Sequence, residues 1–217
     1  MRENRRDLTP PYGHLARLLR PFPDFDPPFI RPVRQKAVEL LDLKEGDRVL
    51  DVGCGPGGSF PYLVRAVGQS GQVVGVEISP VISVNARRRI DKNEWRNVQL
   101  VEADARTVRL TGTFDGLLMF ATDVILLDEA LEHIFAHLKE NARVAAFGAK
   151  LSTHRLGRIL NPVLQMLFKL TFSTTPRPGF EPWRLLAKRV EGLDVEEYFF
   201  GLMFLTSGSV VTGKGHE

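Results

Sequence analysis

The sequence is poor in the residues that build disulfide frameworks and Cys-rich metal sites. Among its 217 residues it holds one cysteine, Cys54, which excludes an internal disulfide network and a Cys-rich zinc site. His133, His137 and His154 are scattered without metal-ligand spacing or evident partners, and we predict no bound metal.

Long apolar runs are also missing. No uninterrupted run of about 18 apolar residues occurs, so the sequence predicts no membrane-spanning helix. The charged start, Met1 to Asp7, is unlike the apolar core of a signal peptide. These absences favour a cytoplasmic protein.

The charge is small overall but unevenly distributed. The formal net charge is +3, yet residues 150–189 carry eight basic residues against one acid, and residues 1–36 carry eight against four. Such an asymmetry indicates either a surface that meets an anionic partner or a solvated, evenly spread face.

Apolar runs alternate with helical patterns along the chain, and this alternation is typical of a doubly wound α/β fold with a mostly parallel sheet. The predicted strands are 48–52, 72–78, 98–102, 114–120 and 143–149, followed by a closing antiparallel pair, 195–200 and 202–207. The predicted helices are 14–19, 32–41, 59–67, 80–92, 126–138, 155–172 with an interruption at Pro162, and 183–190. We therefore interpret 1–217 as one domain, made of an N-terminal arm (1–31), a nucleotide-binding core (32–150), a helical substrate-side segment (151–192) and a C-terminal hairpin and tail (193–217).

A glycine-rich turn, residues 53–58, lies between the first strand of the core and the helix after it. Small residues at such a place let the backbone turn sharply and approach a bound nucleotide closely. Gly53, Gly55 and Gly58 also satisfy the G-x-G-x-x-G pattern of nicotinamide-cofactor folds, so the turn alone leaves the nucleotide open.

Three acids at successive strand ends narrow the choice of nucleotide. Asp51 can pair with an ammonium group but would repel a pyrophosphate. Glu77 can accept both ribose hydroxyls, and Asp104 can accept from an adenine amino group. Each acid alone also fits a helix cap or a turn, but ligands bind where all three converge, at the carboxyl edge of an open α/β sheet.

Residues 48–58, Glu77 and Asp104 together resemble the successive motifs of class I S-adenosylmethionine-dependent methyltransferases, over about residues 32–150. The resemblance implies a seven-stranded sheet and S-adenosyl-L-methionine as cofactor. By that likeness Phe120 and Ala121 would face the reacting methyl, and Cys54 is a small turn residue rather than a nucleophile. The implied cofactor-binding residues are Asp51, Gly53, Cys54, Gly55, Glu77, Ile78, Asp104, Ala105 and Phe120.

The acceptor is less well specified. Candidate catalytic groups are Asp123 after the fourth strand and Tyr12 and His14 in the arm, where His14 titrates near neutral pH. Amino-methylating nucleic-acid enzymes resemble one another in a (Asp/Asn)-Pro-Pro-(Tyr/Phe) motif after the fourth strand. Residues 120–123 lack it, and the similar letters at 26–29 lie ahead of the glycine turn, so nucleic acid is not the expected partner.

The segment 155–172 combines an apolar stripe with Arg155, Arg158 and Lys169. It fits an outer helix packed on the sheet, a cover over an apolar pocket, or a peripheral contact with a membrane. The tail from 161 to 201 is similar to small-molecule methyltransferases of the quinone and phospholipid type. We therefore expect a small, lipophilic acceptor such as a lipid, quinone-like ring or amine. An RNA or protein methyltransferase and a non-catalytic binding protein remain the alternatives, and the oligomeric state stays open.

Overall fold

The computed structural model describes residues 28–171 and 179–211. Five helices lie in these ranges: α1 (Arg31–Glu39), α2 (Phe60–Val67), α3 (Pro80–Lys92), α4 (Asp128–Phe135) and α5 (Arg155–Thr171). The strands are β1 (Arg48–Val52), β2 (Gln72–Glu77), β3 (Val98–Glu102), β4 (Phe114–Phe120), β5 (Leu138–Ala149), β6 (Val190–Tyr198) and β7 (Met203–Val210). Short 3₁₀ turns span Asp123–Leu126, Pro182–Arg184 and Leu186–Lys188.

The seven strands form one sheet in the order β3-β2-β1-β4-β5-β7-β6. The first five strands of the chain run parallel, and β7 pairs antiparallel with both β5 and β6. The predicted doubly wound α/β fold with a closing antiparallel pair is therefore confirmed.

Both faces of the sheet are covered, which explains the continuous apolar runs of its central strands. Leu50 and Val52 point into a core shared with α4. Val49 points to the opposite face, into a core shared with α1 and α2. The two cores hold β1 and β4 rigidly, and these strands frame the site described below.

Two helix predictions are wrong in detail. Residues 183–190 form two 3₁₀ turns rather than a helix, and Val190 instead pairs with Val210 in the hairpin. The predicted helix 126–138 is shorter, because Leu127 takes an extended conformation between a 3₁₀ turn and α4, and Leu138 already pairs with Phe114. The helix predicted at 14–19 lies outside the described residues.

Helix α5 departs from expectation in two ways. It continues through Pro162, which lies on the exposed side where solvent can hydrogen-bond to the freed carbonyl. Leu156 and Ile159 are 65% and 73% exposed, so this part of the stripe does not pack on the sheet. No helix within the described ranges is long and apolar enough to cross a bilayer.

Candidate functional site

A pocket of about 360 Å³ lies at the carboxyl edge of the sheet. The strand order reverses at β1, which has β2 on one side and β4 on the other. Helices leave the sheet on opposite faces at such a point, and the crevice between them is where open α/β sheets bind ligands. The pocket has a size typical of small-molecule sites.

The glycine turn forms one wall of the pocket. The backbone N–H groups of Gly53 and Cys54 both donate to the Val76 carbonyl, at 2.8 and 3.0 Å, which ties the turn to the end of β2. Gly53 has φ +70°, and a Cβ built there would lie 2.3 Å from the Thr122 hydroxyl oxygen. Only glycine therefore permits this approach between the β1 and β4 ends.

Gly55 lines the pocket and is also left-handed, with φ +57°. A Cβ built on it would meet no atom within 4 Å. The space that a side chain would fill at Gly55 is thus left to whatever enters the pocket.

Glu77 is held in a fixed orientation at the end of β2. One carboxylate oxygen accepts from the Gly55 N–H at 3.0 Å and the other from the Ser79 N–H at 2.8 Å. Burial raises the pKa of the Glu77 carboxyl, and these two backbone donors oppose the rise. Since each oxygen accepts one backbone bond, each keeps capacity for a ligand hydroxyl, as the ribose assignment requires.

Asp51 lies beneath the turn, 1% exposed. No donor within the described residues forms a hydrogen bond to either of its carboxylate oxygens. Burial raises the pKa of Asp51 to about 7, although the Arg34 charge opposes this and Glu77 adds to it. A buried carboxylate without hydrogen bonds is costly, and a cationic ligand group would relieve that cost.

Ile78, Ala105 and Asp104 line another part of the pocket, and all three are among the implied cofactor-binding residues. The structure adds a residue that the sequence reading missed. The Arg106 guanidinium donates a hydrogen bond to the Asp104 carboxylate, at 2.5 Å from Nη2 to Oδ2. This bond holds the pKa of the Asp104 carboxyl below its usual range. An adenine amino group would therefore share Asp104 with Arg106.

The residues at the end of β4 do not all line the pocket. Ala121, Thr122 and Asp123 line the pocket. Phe120 does not; it is buried and stacked on Phe147, with ring centroids 4.5 Å apart. Its assignment to the reacting methyl, like that of Asp123 to catalysis, stays a prediction.

Arg34 is a second residue that the sequence reading missed. It reaches from α1 to donate to the Ser59 hydroxyl at 2.9 Å, and its guanidinium lies 4.0 Å from the Phe120 ring centroid. Its charge favours the ionised form of Asp51. An arginine 17 positions before Asp51 carries no local sequence signal, since only the fold brings α1 to the turn.

Three site candidates remain, namely Cys54, Tyr12 and His14. Cys54 is buried, and burial raises the pKa of its thiol, in keeping with a small turn residue. Tyr12 and His14 lie outside the described residues.

The three histidines discussed above do have partners, contrary to expectation. His133 donates to the Val108 carbonyl, His137 to the His133 carbonyl, and His154 contacts Glu197 at 2.8 Å. In the part of the chain that the structure describes, no group of three or more potential metal ligands occurs.

These features fit a nucleoside joined to an amino acid. The Asp51 carboxylate, which accepts no hydrogen bond from the described residues, suits an ammonium group. Glu77 suits a ribose, and Gly55 leaves space at the pocket wall. The residues present therefore fit S-adenosylmethionine.

Comparison with known proteins agrees with this geometry. A family model described as a methyltransferase domain matches residues 49–141. Aklanonic acid methyltransferase of Streptomyces sp. (strain C5) is 32% identical over 103 residues, which cover 48% of this chain and 47% of that protein. Demethylmenaquinone methyltransferase of Staphylococcus saprophyticus is 29% identical over 140 residues, 64% of this chain and 57% of that one.

A solved S-adenosylmethionine-dependent methyltransferase from Aquifex aeolicus has the same fold, with a TM-score of 0.66 at 22% identity, covering 90% of this chain and 98% of that one. Shorter matches, of 66 to 80 residues, fall on protein-isoaspartate and ribosomal RNA methyltransferases. The two first relatives are matched over only 47% and 33% of their own lengths. The matched segment, residues 49–141, holds the glycine turn, Glu77 and Asp104, and over it the chain is similar to methyltransferase domains.

Proposed function

We propose that the chain transfers a methyl group from S-adenosylmethionine to a small, lipophilic acceptor. The observation that carries the donor half is the pair of buried carboxylates, Asp51 and Glu77, at adjoining strand ends. When bound, the cofactor supplies an electrophilic methyl on a sulfonium.

The chain's own part in the reaction is mainly to position the reactants and exclude water. Asp51 would hold the ammonium end and Glu77 the ribose. Asp123 lies on the pocket wall close enough to Glu77 for its charge to raise the pKa of that carboxyl. We assign Asp123 as the group that accepts a proton from an acceptor hydroxyl or amine.

The acceptor half is supported by two kinds of observation. Two relatives, matched over 140 and 115 residues, are by name a demethylmenaquinone methyltransferase and a 2-phytyl-1,4-naphtoquinone methyltransferase. Helix α5, which follows β5 in the chain, carries an exposed apolar face. RNA is the second candidate, since ribosomal RNA methyltransferases also match and the calculated pI is about 9.2.

The donor assignment is tested by titrating the purified chain with S-adenosylmethionine in a calorimeter. Glu77→Ala should weaken binding by at least tenfold, because two hydrogen bonds to a charged group are lost. Arg88→Ala, on the exposed side of α3, is the matched control and should leave the affinity unchanged. Unchanged affinity of Glu77→Ala would refute the ribose assignment. An unaltered chain that binds no cofactor would favour a non-catalytic protein.

The acceptor assignment is tested with cofactor carrying a labelled methyl group. Hydroxylated naphthoquinones and aromatic polyketides are compared with bulk ribosomal RNA as acceptors. We expect label in the small aromatic fraction, and Asp123→Asn should lower kcat more than KM. Transfer to RNA alone, lost steeply as salt rises, would overturn the small-molecule proposal.

A further inference from the structure

Asn161 and Gly157 hold the described part of helix α5, residues 155–166, against the rest of the protein. Asn161 pairs with the Ser152 backbone, accepting from its N–H at 2.9 Å and donating to its carbonyl at 3.0 Å. A Cβ at Gly157 would lie 2.3 Å from the Phe200 carbonyl oxygen, so the helix backbone rests directly on the tip of the β6–β7 hairpin.

The opposite side of α5 carries exposed apolar residues. Leu156, Ile159, Leu160 and Val163 follow at helical spacing, and all are exposed. The predicted apolar stripe is present, but this part of it faces away from the described residues.

The hairpin tip extends this apolar surface. Phe199 and Phe200 both have left-handed backbones, with φ of 51° and 57°, and are 38% and 64% exposed. Such a conformation is strained for a non-glycine residue, and turns of this kind favour Asn-Gly. The Phe199 ring contacts exposed Phe29, with centroids 5.5 Å apart. We call Phe29, Leu156, Ile159, Val163, Phe199 and Phe200 the α5–hairpin surface.

Two cations lie beside this surface without acidic partners. Arg155 and Arg158 are exposed, and neither forms an ion pair within the described ranges. Three other basic residues between positions 150 and 189 do have acidic partners: Lys150 is paired with Glu197, Arg184 with Glu181 and Arg189 with Asp128. The charge next to the apolar stripe is therefore left for an external anion.

We propose that the α5–hairpin surface docks on an anionic lipid bilayer, with Phe199, Phe200 and the α5 stripe among the acyl chains and Arg155 and Arg158 on lipid phosphates. An apolar stripe with cations along its side and aromatics at its end is the pattern of helices that lie in a membrane interface. A symmetric dimer through this face would instead bring the same arginines of two copies together, which like charges oppose.

Docking here would bring the carboxyl edge of β5 to the bilayer, because α5 starts five residues beyond Lys150 at that edge. A lipophilic acceptor would then reach the protein without crossing water. The docking itself does not require methyl transfer, so its test is separate from that of the proposed function.

The test is flotation of the full chain with vesicles of phosphatidylcholine, alone or mixed with phosphatidylglycerol. We expect binding to the mixed vesicles that weakens as salt rises. Arg155→Gln with Arg158→Gln should weaken it about thirtyfold, at about fivefold for each basic residue lost. Arg88→Gln with Lys92→Gln on α3 makes the same charge change elsewhere and should have little effect.

The contribution of the apolar residues to vesicle binding is tested with the double variant Ile159→Ser and Val163→Ser. The control is the double variant Val81→Ser and Val84→Ser, which replaces two exposed valines on α3. The first pair should lower vesicle binding at least tenfold and leave the melting temperature unchanged, because these side chains are open to water in the free protein. Replacing Phe199 by Asn and Phe200 by Gly should raise the melting temperature while lowering vesicle binding, since it removes strain together with the aromatics.

Three results would overturn the proposal. Wild-type chain that stays with the unbound fraction at low salt excludes docking. A melting temperature lowered by the α5 serines would mean that the segment 1–27 covers the face. A dimer that these serines convert to monomer, measured by sedimentation equilibrium, would mean that a second copy covers it.

Discussion

Asp51 carries a charge state that depends on what lies next to it. Its burial without a hydrogen-bond donor among the described residues raises its pKa to about 7, against an ordinary value of 3.8. The free protein therefore holds a largely protonated Asp51 below neutrality. An ammonium group beside it would favour the ionised form, so ligand binding and proton release are linked.

We therefore predict that the affinity for S-adenosylmethionine falls as the pH drops below about 7, by up to tenfold for each pH unit. The physical reason is that Asp51 must lose its proton before it can pair with the ammonium. Calorimetric titration in two buffers of different ionisation enthalpy would show about one proton released for each cofactor bound at about pH 6.

Asp51→Asn is the control for this titration. The amide should bind the cofactor weakly at every pH and release no proton. A slope with pH that survives in Asp51→Asn would assign the titration to another group, and Glu77 is the next candidate because burial raises its pKa too.

The turn between β1 and α2 is the element on which the pocket's shape depends most. Gly53 and Gly55 have different roles in this turn, and one substitution at each residue distinguishes these roles. Gly53→Ala would force a Cβ within 2.3 Å of the Thr122 oxygen in a left-handed backbone. We predict a loss of at least about 2 kcal/mol in the free energy of unfolding, seen as a lower midpoint in urea.

Gly55→Ala places the same group where no protein atom lies within 4 Å. Its cost to stability should be limited to backbone strain, about 1–2 kcal/mol, while cofactor affinity falls because the methyl occupies the pocket. If Gly55→Ala binds the cofactor as well as the wild type, the cofactor does not pass along this wall.

Elements with a strong local pattern were predictable from the sequence. The bounds of β1, β3, β4 and α3 agree with the sequence prediction, because buried apolar runs and the turn residues beside them are local signals. The 3₁₀ turns before Val190 were not predictable in this way. Val190 itself belongs to a strand because it pairs with Val210, which is a non-local contact.

The same difference between local signals and non-local contacts applies to the residues of the site. Glu77 and Asp104 were found because they end strands, and the structure places both on the pocket wall. Arg34 and Arg106 were missed because their positions depend on how α1 and the β3 loop pack. The outward direction of the α5 stripe was also not predictable, since helical spacing gives a face but not what covers it.

At the scale of the whole molecule, folding buries the Asp51 carboxyl group, and burial destabilises its ionised form. A bound ligand with a positive charge would offset this loss of stability. The pKa of Asp51 lies near its ordinary value of 3.8 in the unfolded chain and at about 7 in the folded protein. The folded state thus binds more protons between these values, so the stability of the free protein falls as the pH rises through this window and does not return above it.

A bound cofactor should remove this loss, because its ammonium stabilises the ionised carboxylate. We predict that saturating S-adenosylhomocysteine, which keeps the ammonium, raises the melting temperature more at about pH 7.5 than at about pH 5.5. At one hundred times Kd the gain is about 2.7 kcal/mol, or roughly 5–10 °C for a domain of this size. Asp51→Asn should show a smaller shift that does not change with pH, measured by differential scanning calorimetry. An equal shift at both pH values in the wild type would mean that the ammonium does not reach Asp51, and that the buried carboxylate is compensated by the protein itself.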